Sequence, residues 1–381
     1  MHLEGIPRLL LFCCHCFTDR KFQKIIMNKV IISIALLSIY ASACSAITKD
    51  KLNAKSSTTA VKPVVITDQV AYDTDDPAIW INKEDTSKSL IIGTDKDSNG
   101  GLYVFNLEGK IVKKVTGLKR PNNVDLAYGL ILNGKPTDFV ATTERETNKL
   151  RMYSIPDMNE IDNGGLDVFA GETQRAPMGI SIYTNPLDHS IYAIVGRKTG
   201  PTEGYLFQYK LEDDGHGNVK GTLVRKFGKY SGKKEIESIA VDNQLGYVYY
   251  SDEQYGVHKY YADPAKGNSE LALFATTGFV SDHEGISIYE TGTKTGYILV
   301  SNQQKNTFMV YPREGVKQDV NNHPLLAEIP VSTIESDGSE VTNVNLGSRF
   351  PKGVFVAMSN GKVFQYYDWR DIQKMIDAQK K

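Results

Sequence analysis

Asp73-Thr74-Asp75-Asp76-Pro77-Ala78-Ile79-Trp80 carries three carboxylates within four residues. Such a cluster repels itself unless a cation or hydrogen-bond donors hold it. Pro77 fixes its own φ, removes an N–H and pushes Asp76 toward an extended conformation. The Ala-Ile-Trp-Ile run that follows reads as a buried strand, so the acids stand at a strand's mouth. Related groups recur down the chain: Asn122, Asn123 and Asp125, Glu235 and Glu237, Asp252 and Glu253, Asp282 and Glu284, Gln303, then Asp337 and Glu340. Lys96, Arg145, Arg197 and Lys198 are interleaved with them. An all-oxygen set of Asp, Glu and Gln suits a hard cation, and a roomy multi-carboxylate site favours Ca²⁺ over Mg²⁺. Lysine and arginine do not bind metal. Beside one they make a site for a polyanion, with phosphate the obvious candidate. Phosphate monoester hydrolysis is extremely slow uncatalysed, with enhancements up to ~10²¹, and metal ions both neutralise the ester and activate water. Asp95, Asp97, Asn99 and Gly100 imitate the start of an EF-hand loop, but Asn106 stands where the bidentate Glu belongs, so that stretch reads as a turn.

Short strand-like runs between Gly, Asn, Asp and Lys turns must position these residues. From residue 62 they group in fours: 79–82, 90–93, 102–107 and 110–115; 124–127, 138–142, 149–155 and 166–170; 180–183, 191–195, 205–211 and 223–227; 239–241, 247–251, 257–261 and 271–275; 286–289, 297–300, 307–311 and 325–331. A final set, 344–346, 354–358 and 362–367, lacks a strand that Val61–Ile66 can supply. Four-stranded units at this period predict an all-β fold: a six-bladed β-propeller of antiparallel blades, closed by an N-terminal strand. Strand direction alternates within a blade. The start of a first strand and the end of a second therefore share one face, which is where the acids and cations fall. The tail from Trp369 reads as a short amphipathic helix packed outside.

The chain has 381 residues and a formal net charge of -1, which argues against a nucleic-acid partner. With 32 Gly, 21 Tyr and 14 Phe it leans toward strands and turns. Cys13, Cys14, Cys16 and Cys44 all precede the body, which therefore has no disulfide, thiolate metal site or Cys nucleophile. Met27-Asn28-Lys29, the apolar run Val30–Tyr40 and the small residues Ala41-Ser42-Ala43 read as an export signal over 27–44, too short to span a bilayer comfortably. Cys44 resembles the lipid-acceptor position of a bacterial lipoprotein, with Ala41 where Leu is usual, so lipidation and plain secretion both remain open. Residues 1–26 read as a leader before a start at Met27, 45–61 as a tether, 62–370 as the propeller and 371–381 as its tail. The mature protein is expected to be a monomer without a transmembrane span, periplasmic, at the cell surface or secreted.

Asp73–Trp80, Gly93-Thr94-Asp95-Lys96, Gly101-Leu102-Tyr103-Val104, Asn122-Asn123-Val124-Asp125, Glu284-Gly285-Ile286-Ser287-Ile288-Tyr289, Ser336-Asp337-Gly338 and Arg349-Phe350-Pro351-Lys352-Gly353 together resemble the β-propeller phytase family, in order and spacing. The resemblance implies a calcium-dependent phytase, 3-phytase-like, acting on myo-inositol hexakisphosphate through several Ca²⁺ ions, with a second phosphate site beside the cleavage site. It implies calcium ligands at Asp75, Asp76, Glu237, Glu253, Asp282, Glu284, Gln303 and Asp337. Glu237 opens the fourth blade's first strand and Glu253 ends its second, so these two are expected to hold the ion that activates water. It implies phosphate contacts at Lys96, Arg145 and Lys198, with Arg197 a neighbour. Asp97, Met178, Ser238 and Ser339 depart from the family pattern. Two other classes fit the residues: a non-catalytic calcium-dependent surface propeller that binds a polyanion, and a calcium lactonase or esterase. The cations favour phosphate over an uncharged ester.

Overall fold

The structure is a computed structural model that describes residues 57–380. The leader, export signal and Cys44 readings lie outside those residues. The turns that separate the strands leave each apolar strand short, and short antiparallel strands bury a face only by stacking sheet on sheet. The described residues form six sheets of four antiparallel strands each. The first holds β2 (Thr74–Trp80), β3 (Leu90–Asp95), β4 (Gly100–Phe105) and β5 (Ile111–Leu118). The second holds β6 (Pro121–Leu132), β7 (Lys135–Glu144), β8 (Lys149–Ser154) and β9 (Leu166–Asp167). The third holds β10 (Pro177–Thr184), β11 (Ile191–Arg197), β12 (Glu203–Asp213) and β13 (Val219–Lys229). The fourth holds β14 (Ile239–Asp242), β15 (Tyr247–Asp252), β16 (Gly256–Tyr261) and β17 (Ala272–Phe274). The fifth holds β18 (His283–Glu290), β19 (Gly296–Asn302), β20 (Thr307–Pro312) and β21 (Ala327–Pro330).

The sixth sheet closes the ring. Its order is β1 (Val65–Ile66), β24 (Val363–Asp368), β23 (Val354–Ser359), β22 (Ser339–Val341), so one blade holds strands from both ends of the described chain. Val65 pairs with Tyr366 and Ile66 with Gln365. The six-bladed propeller closed by an N-terminal strand is therefore the observed fold.

The core is a ring of clusters between adjacent blades. Ala78, Trp80 and Ile92 of the first blade pack with Val140 and Tyr153 of the second, and Phe364 and Tyr366 of the sixth pack with Ile91 and Phe105 of the first. Each fully buried side chain of this size is worth about 1.5–3 kcal/mol. The axis is polar instead: a cavity of about 190 Å³ lined by Asp76, Asp125, Asp242 and Glu340 among others. After β24 the chain forms α1 (Trp369–Gln379), capped by the Asp368 carboxylate, which accepts from Arg370 N. Trp369, Ile372 and Ile376 are buried, and the Trp369 ring stacks on Tyr289 at 3.5 Å.

One expectation is corrected. The sixth blade's first strand is Ser339–Val341 and not 344–346. Leu346 is buried, but in a turn where its N–H donates to the Phe350 carbonyl. The true inner strand borders the polar axis, so it lacks the apolar alternation that marks a strand in sequence.

Candidate active site

The mouths of the inner strands in the first, second and fifth blades share one local device. Thr74 pairs with Asp95 and Pro77 with Gly93, so Asp75 and Asp76 stand opposite Thr94 alone. The same bulge puts Asn122 and Asn123 opposite Thr143, and Glu284 and Gly285 opposite Ser301. A bulge kinks the strand and re-aims side chains that would otherwise alternate across the sheet. Hydroxyls on two second strands reach the inner-strand mouth of the next blade. Thr143 Oγ1 donates to the Met178 carbonyl at 2.6 Å and Ser251 Oγ to the Glu284 carbonyl at 3.0 Å. Two glycines permit the close approach. A Cβ on Gly179 would lie 1.9 Å from the Glu237 carbonyl oxygen, and one on Gly338 2.3 Å from Asp76 Oδ1.

Two clusters result on the face where first strands begin and second strands end. In one, Lys96, just after β3, contacts the Asp75 carboxylate, lies 3.2 Å from Asp337 Oδ2 and 3.8 Å from Glu237 Oε1. Gln303 Nε2 donates to the Asp337 carboxylate. Asn122 donates to Glu237 and accepts from Arg145. In the other, Glu253, Asp282 and Glu284 bring carboxylate oxygens within 4.8 Å of one another, and Glu253 makes a similar group with Glu235 and Glu237. Glu253 thus joins the two. Its neighbour Asp252 points the other way and accepts from the N–H and hydroxyl of Ser231.

The electrostatics suit a bound cation. Asp75, Glu253 and Glu284 are 1%, 0% and 3% exposed. Asp75 Oδ2, both oxygens of Glu253 and Glu284 Oε2 are buried without a hydrogen-bond partner. Buried polar atoms are normally satisfied, so each of these calls for a partner. Burial pushes the Glu253 carboxyl up to about 8, against the pull of Lys234 and with Glu237 adding repulsion. Burial, then repulsion from Glu253 and Glu237, lifts Glu284 well above the usual carboxylate range. Burial also lifts Asp75 and Asp337, although Lys96 opposes it. Glu237 goes the other way: burial would raise it, but Lys96, Arg145 and the Asn122 hydrogen bond together lower it. A divalent ion would keep all these groups ionised and supply the orphaned oxygens with a partner.

The expected residues do not all gather here. Asp76 faces the axial cavity, and its Oδ2 accepts from Val124 N at 3.1 Å. Arg197 is set apart. It is 1% exposed, with its guanidinium 4.7 Å from the Phe169 ring centre and 5.2 Å from that of Phe207, and NH1 3.2 Å from Glu172. A guanidinium stacks on aromatic rings where its edge finds acceptors, and the end of β11 turns Arg197 into that wall. Lys198 is turned outward and pairs with Glu235. The sequence reading noted Glu235 without assigning it a role and missed Lys234. Lys234 Nζ lies 2.6 Å from Glu253 Oε2 and 2.8 Å from Asp282 Oδ2. Burial would lower Lys234, but these two carboxylates outweigh it and hold the ammonium above its ordinary range. The only sequence signal for it was a lysine one residue ahead of the Glu235, Glu237 pair.

A family model described as Phytase matches residues 27–375. The chain is 32% identical over 359 residues to the 3-phytase of Bacillus subtilis (strain 168), spanning 88% of this chain and 90% of that protein. A solved structure of U3-55K superposes with a TM-score of 0.45 at 8% identity, over 76% of this chain and 80% of that one.

Proposed function

This chain belongs to the phytase family, and from that premise we propose a calcium-dependent, 3-phytase-like hydrolysis of phytate on the face built by Glu237, Glu253, Asp282, Glu284 and Lys96. The protein is a phosphoric monoester hydrolase. What remains to be assigned is the division of labour among its residues.

Calcium, when bound, supplies neutralisation of the ester's charge and a more acidic water. Glu253, Asp282 and Glu284 would hold one ion, Glu237 and Glu253 another, and Asp75, Asp337 and Gln303 stand ready for a third. Lys96, Arg145 and Lys198 orient the substrate by gripping phosphate oxygens. Fixed cations around a transferring phosphoryl group need no reorganisation as charge develops. The described residues contain no cysteine, so a thiol nucleophile is not among the options. The observation that carries this reading is the set of buried carboxylate oxygens without partners at Asp75, Glu253 and Glu284, beside three cations. Calcium also suits the compartment we propose from the Met27–Cys44 segment, outside the cytoplasm, where the protein acts as a monomer, secreted or held by a lipid.

Phosphate release from phytate, with Ca²⁺ and then with excess chelator, tests it. Activity that depends on Ca²⁺ is expected. Full turnover in chelator would remove calcium from the mechanism and leave the family assignment standing.

A further inference from the structure

Lys234 stands just before Glu235 in the approach to β14, and its ammonium enters the carboxylate cluster. It lies 2.6 Å from Glu253 and 2.8 Å from Asp282. Glu253, Asp282 and Glu284 are the three groups whose oxygens converge closely enough to share one metal ion. The two carboxylates that Lys234 grips are therefore members of a candidate metal centre. Glu253 Oε1 has no hydrogen-bond partner, and Lys234 is the cation beside Oε2. Asp282 is held differently: Gln254 and Gln304 side-chain amides donate to it at 2.9 Å and 2.8 Å. The Lys234 side chain remains 36% exposed, whereas those of Glu253 and Asp282 are 0% and 8% exposed. A long, half-exposed lysine can leave by rotating its stem into solvent, while the carboxylates stay in place.

We propose that Lys234 is a tethered competitor for the metal: its ammonium neutralises Glu253 and Asp282 in the metal-free protein and must vacate them before a divalent cation is bound by Glu253, Asp282 and Glu284. This rests on the calcium reading above. A monovalent ammonium cannot satisfy three converging carboxylates, and the partnerless Glu284 Oε2 records the shortfall. It does, however, limit their repulsion, so the fourth and fifth blades stay joined without metal. The cost is affinity, because the ion must displace a charge already in place. Lys234 thereby sets the calcium concentration at which the site fills.

The test compares wild type with Lys234→Gln and Lys234→Arg, using calorimetric titration with CaCl₂ and melting curves in chelator and in saturating Ca²⁺. Lys234→Gln should bind Ca²⁺ roughly tenfold more tightly. In chelator it should melt about 2–5 °C below wild type, and in saturating Ca²⁺ level with it. Lys234→Arg keeps the charge and should restore the metal-free melting temperature toward wild type. A Kd for Ca²⁺ in Lys234→Gln that is unchanged or weaker, in a protein whose wild type binds calcium, overturns the competitor role alone. A wild type that takes up no Ca²⁺ overturns the calcium reading, and this inference with it. If Lys234→Gln fails to fold, Lys234→Arg decides: unaltered affinity with a preserved metal-free fold supports the charge-based role, and tighter binding overturns it.

Discussion

Lys96 of the first blade lies 3.2 Å from Asp337 of the sixth, and the same ammonium contacts the Asp75 carboxylate. One side chain thus ties the chain's first complete blade to the blade that closes the ring, at the point where phosphate is to be gripped. Its position between carboxylates lets it hold them together, and we propose that it also meets the substrate. Lys96→Met should therefore lower kcat for phosphate release by roughly 10²-fold or more, the cost of losing a preorganised group at a developing charge. It should also lower the melting temperature. Steady-state kinetics on phytate at saturating Ca²⁺ read the first effect. A variant with wild-type kcat would exclude Lys96 from the reacting centre.

Glu237 and Lys198 are expected to fail differently. Glu237→Gln keeps the shape and removes a charge from the metal side, so kcat should fall strongly. Lys198, exposed and paired with Glu235, should act partly through KM, because the phosphate contact we propose for it would be shared by ground and transition states. Lys210 lies far along β12, paired with Glu212 at 2.8 Å, and Lys210→Ala is the control that should change neither. If Lys210→Ala loses activity while Glu237→Gln keeps it, the working face is the opposite one.

Metal removal should be visible without any substrate. Asp75 Oδ2, Glu253 Oε1 and Glu284 Oε2 are buried without a hydrogen-bond partner among the described residues, and a ligand that binds only the folded state raises its stability. Excess chelator should lower the melting temperature, and restored Ca²⁺ should return it. Superimposable melting curves would show that the carboxylates need no ion to stay folded.

Arg197 is expected to matter for stability and not for substrate. Its guanidinium is walled in by Phe169, Phe207 and Glu172. Arg197→Met keeps much of the packing but loses the stacking, and should cost about 2 kcal/mol. Glu172 retains Lys226 at 2.9 Å. Well below the melting temperature, KM for phytate should stay within about twofold of wild type. A KM rise matching that of Lys198→Ala would mean that the guanidinium reaches the phosphate after all.

A pH dependence unrelated to catalysis sits between the fourth and fifth blades. His323 Nδ1 donates to the Pro312 carbonyl at 2.7 Å, and its Nε2, 3.2 Å away, accepts from Lys259 Nζ. Lys259 also donates to the Val320 carbonyl at 2.6 Å. Asp242 and Asp319 are the acidic groups that favour the charged lysine, but burial holds Lys259 down at about 8. Burial, with the lysine adding repulsion, holds His323 at about 4. The unfolded imidazole takes its proton near 6.5, so its contribution is complete above that pH and lost as pH falls toward 4. The loss amounts to about 3 kcal/mol at most. His323→Gln can keep both hydrogen bonds without titrating, and the difference between the two proteins' denaturation free energies should grow through that window. A constant difference from pH 7 to 4 would rule the imidazole out as the source.

Strand pattern, blade number and the shared face were legible in the amino-acid order, because a strand's direction converts position along the chain into side of the disc. Asp75, Glu237, Glu253 and Glu284 could be assigned to one face on that ground alone. Their pairing could not. The pairing of β14 with β15 brings Lys234 to Glu253, but Lys234 meets Asp282 only because the fourth and fifth blades pack side by side, and no local periodicity encodes that contact. Adjacent Arg197 and Lys198 look alike in sequence, yet aromatic rings elsewhere in the third blade and its neighbour bury the one and leave the other in solvent. The strand Ser339–Val341 was hidden for a related reason: it faces a polar axis, so the apolar alternation that reveals strands was absent. Local propensity and pattern thus determined the blades, while the contacts between blades decided which charges meet, because Coulomb and burial energies depend on distance in space and not along the chain.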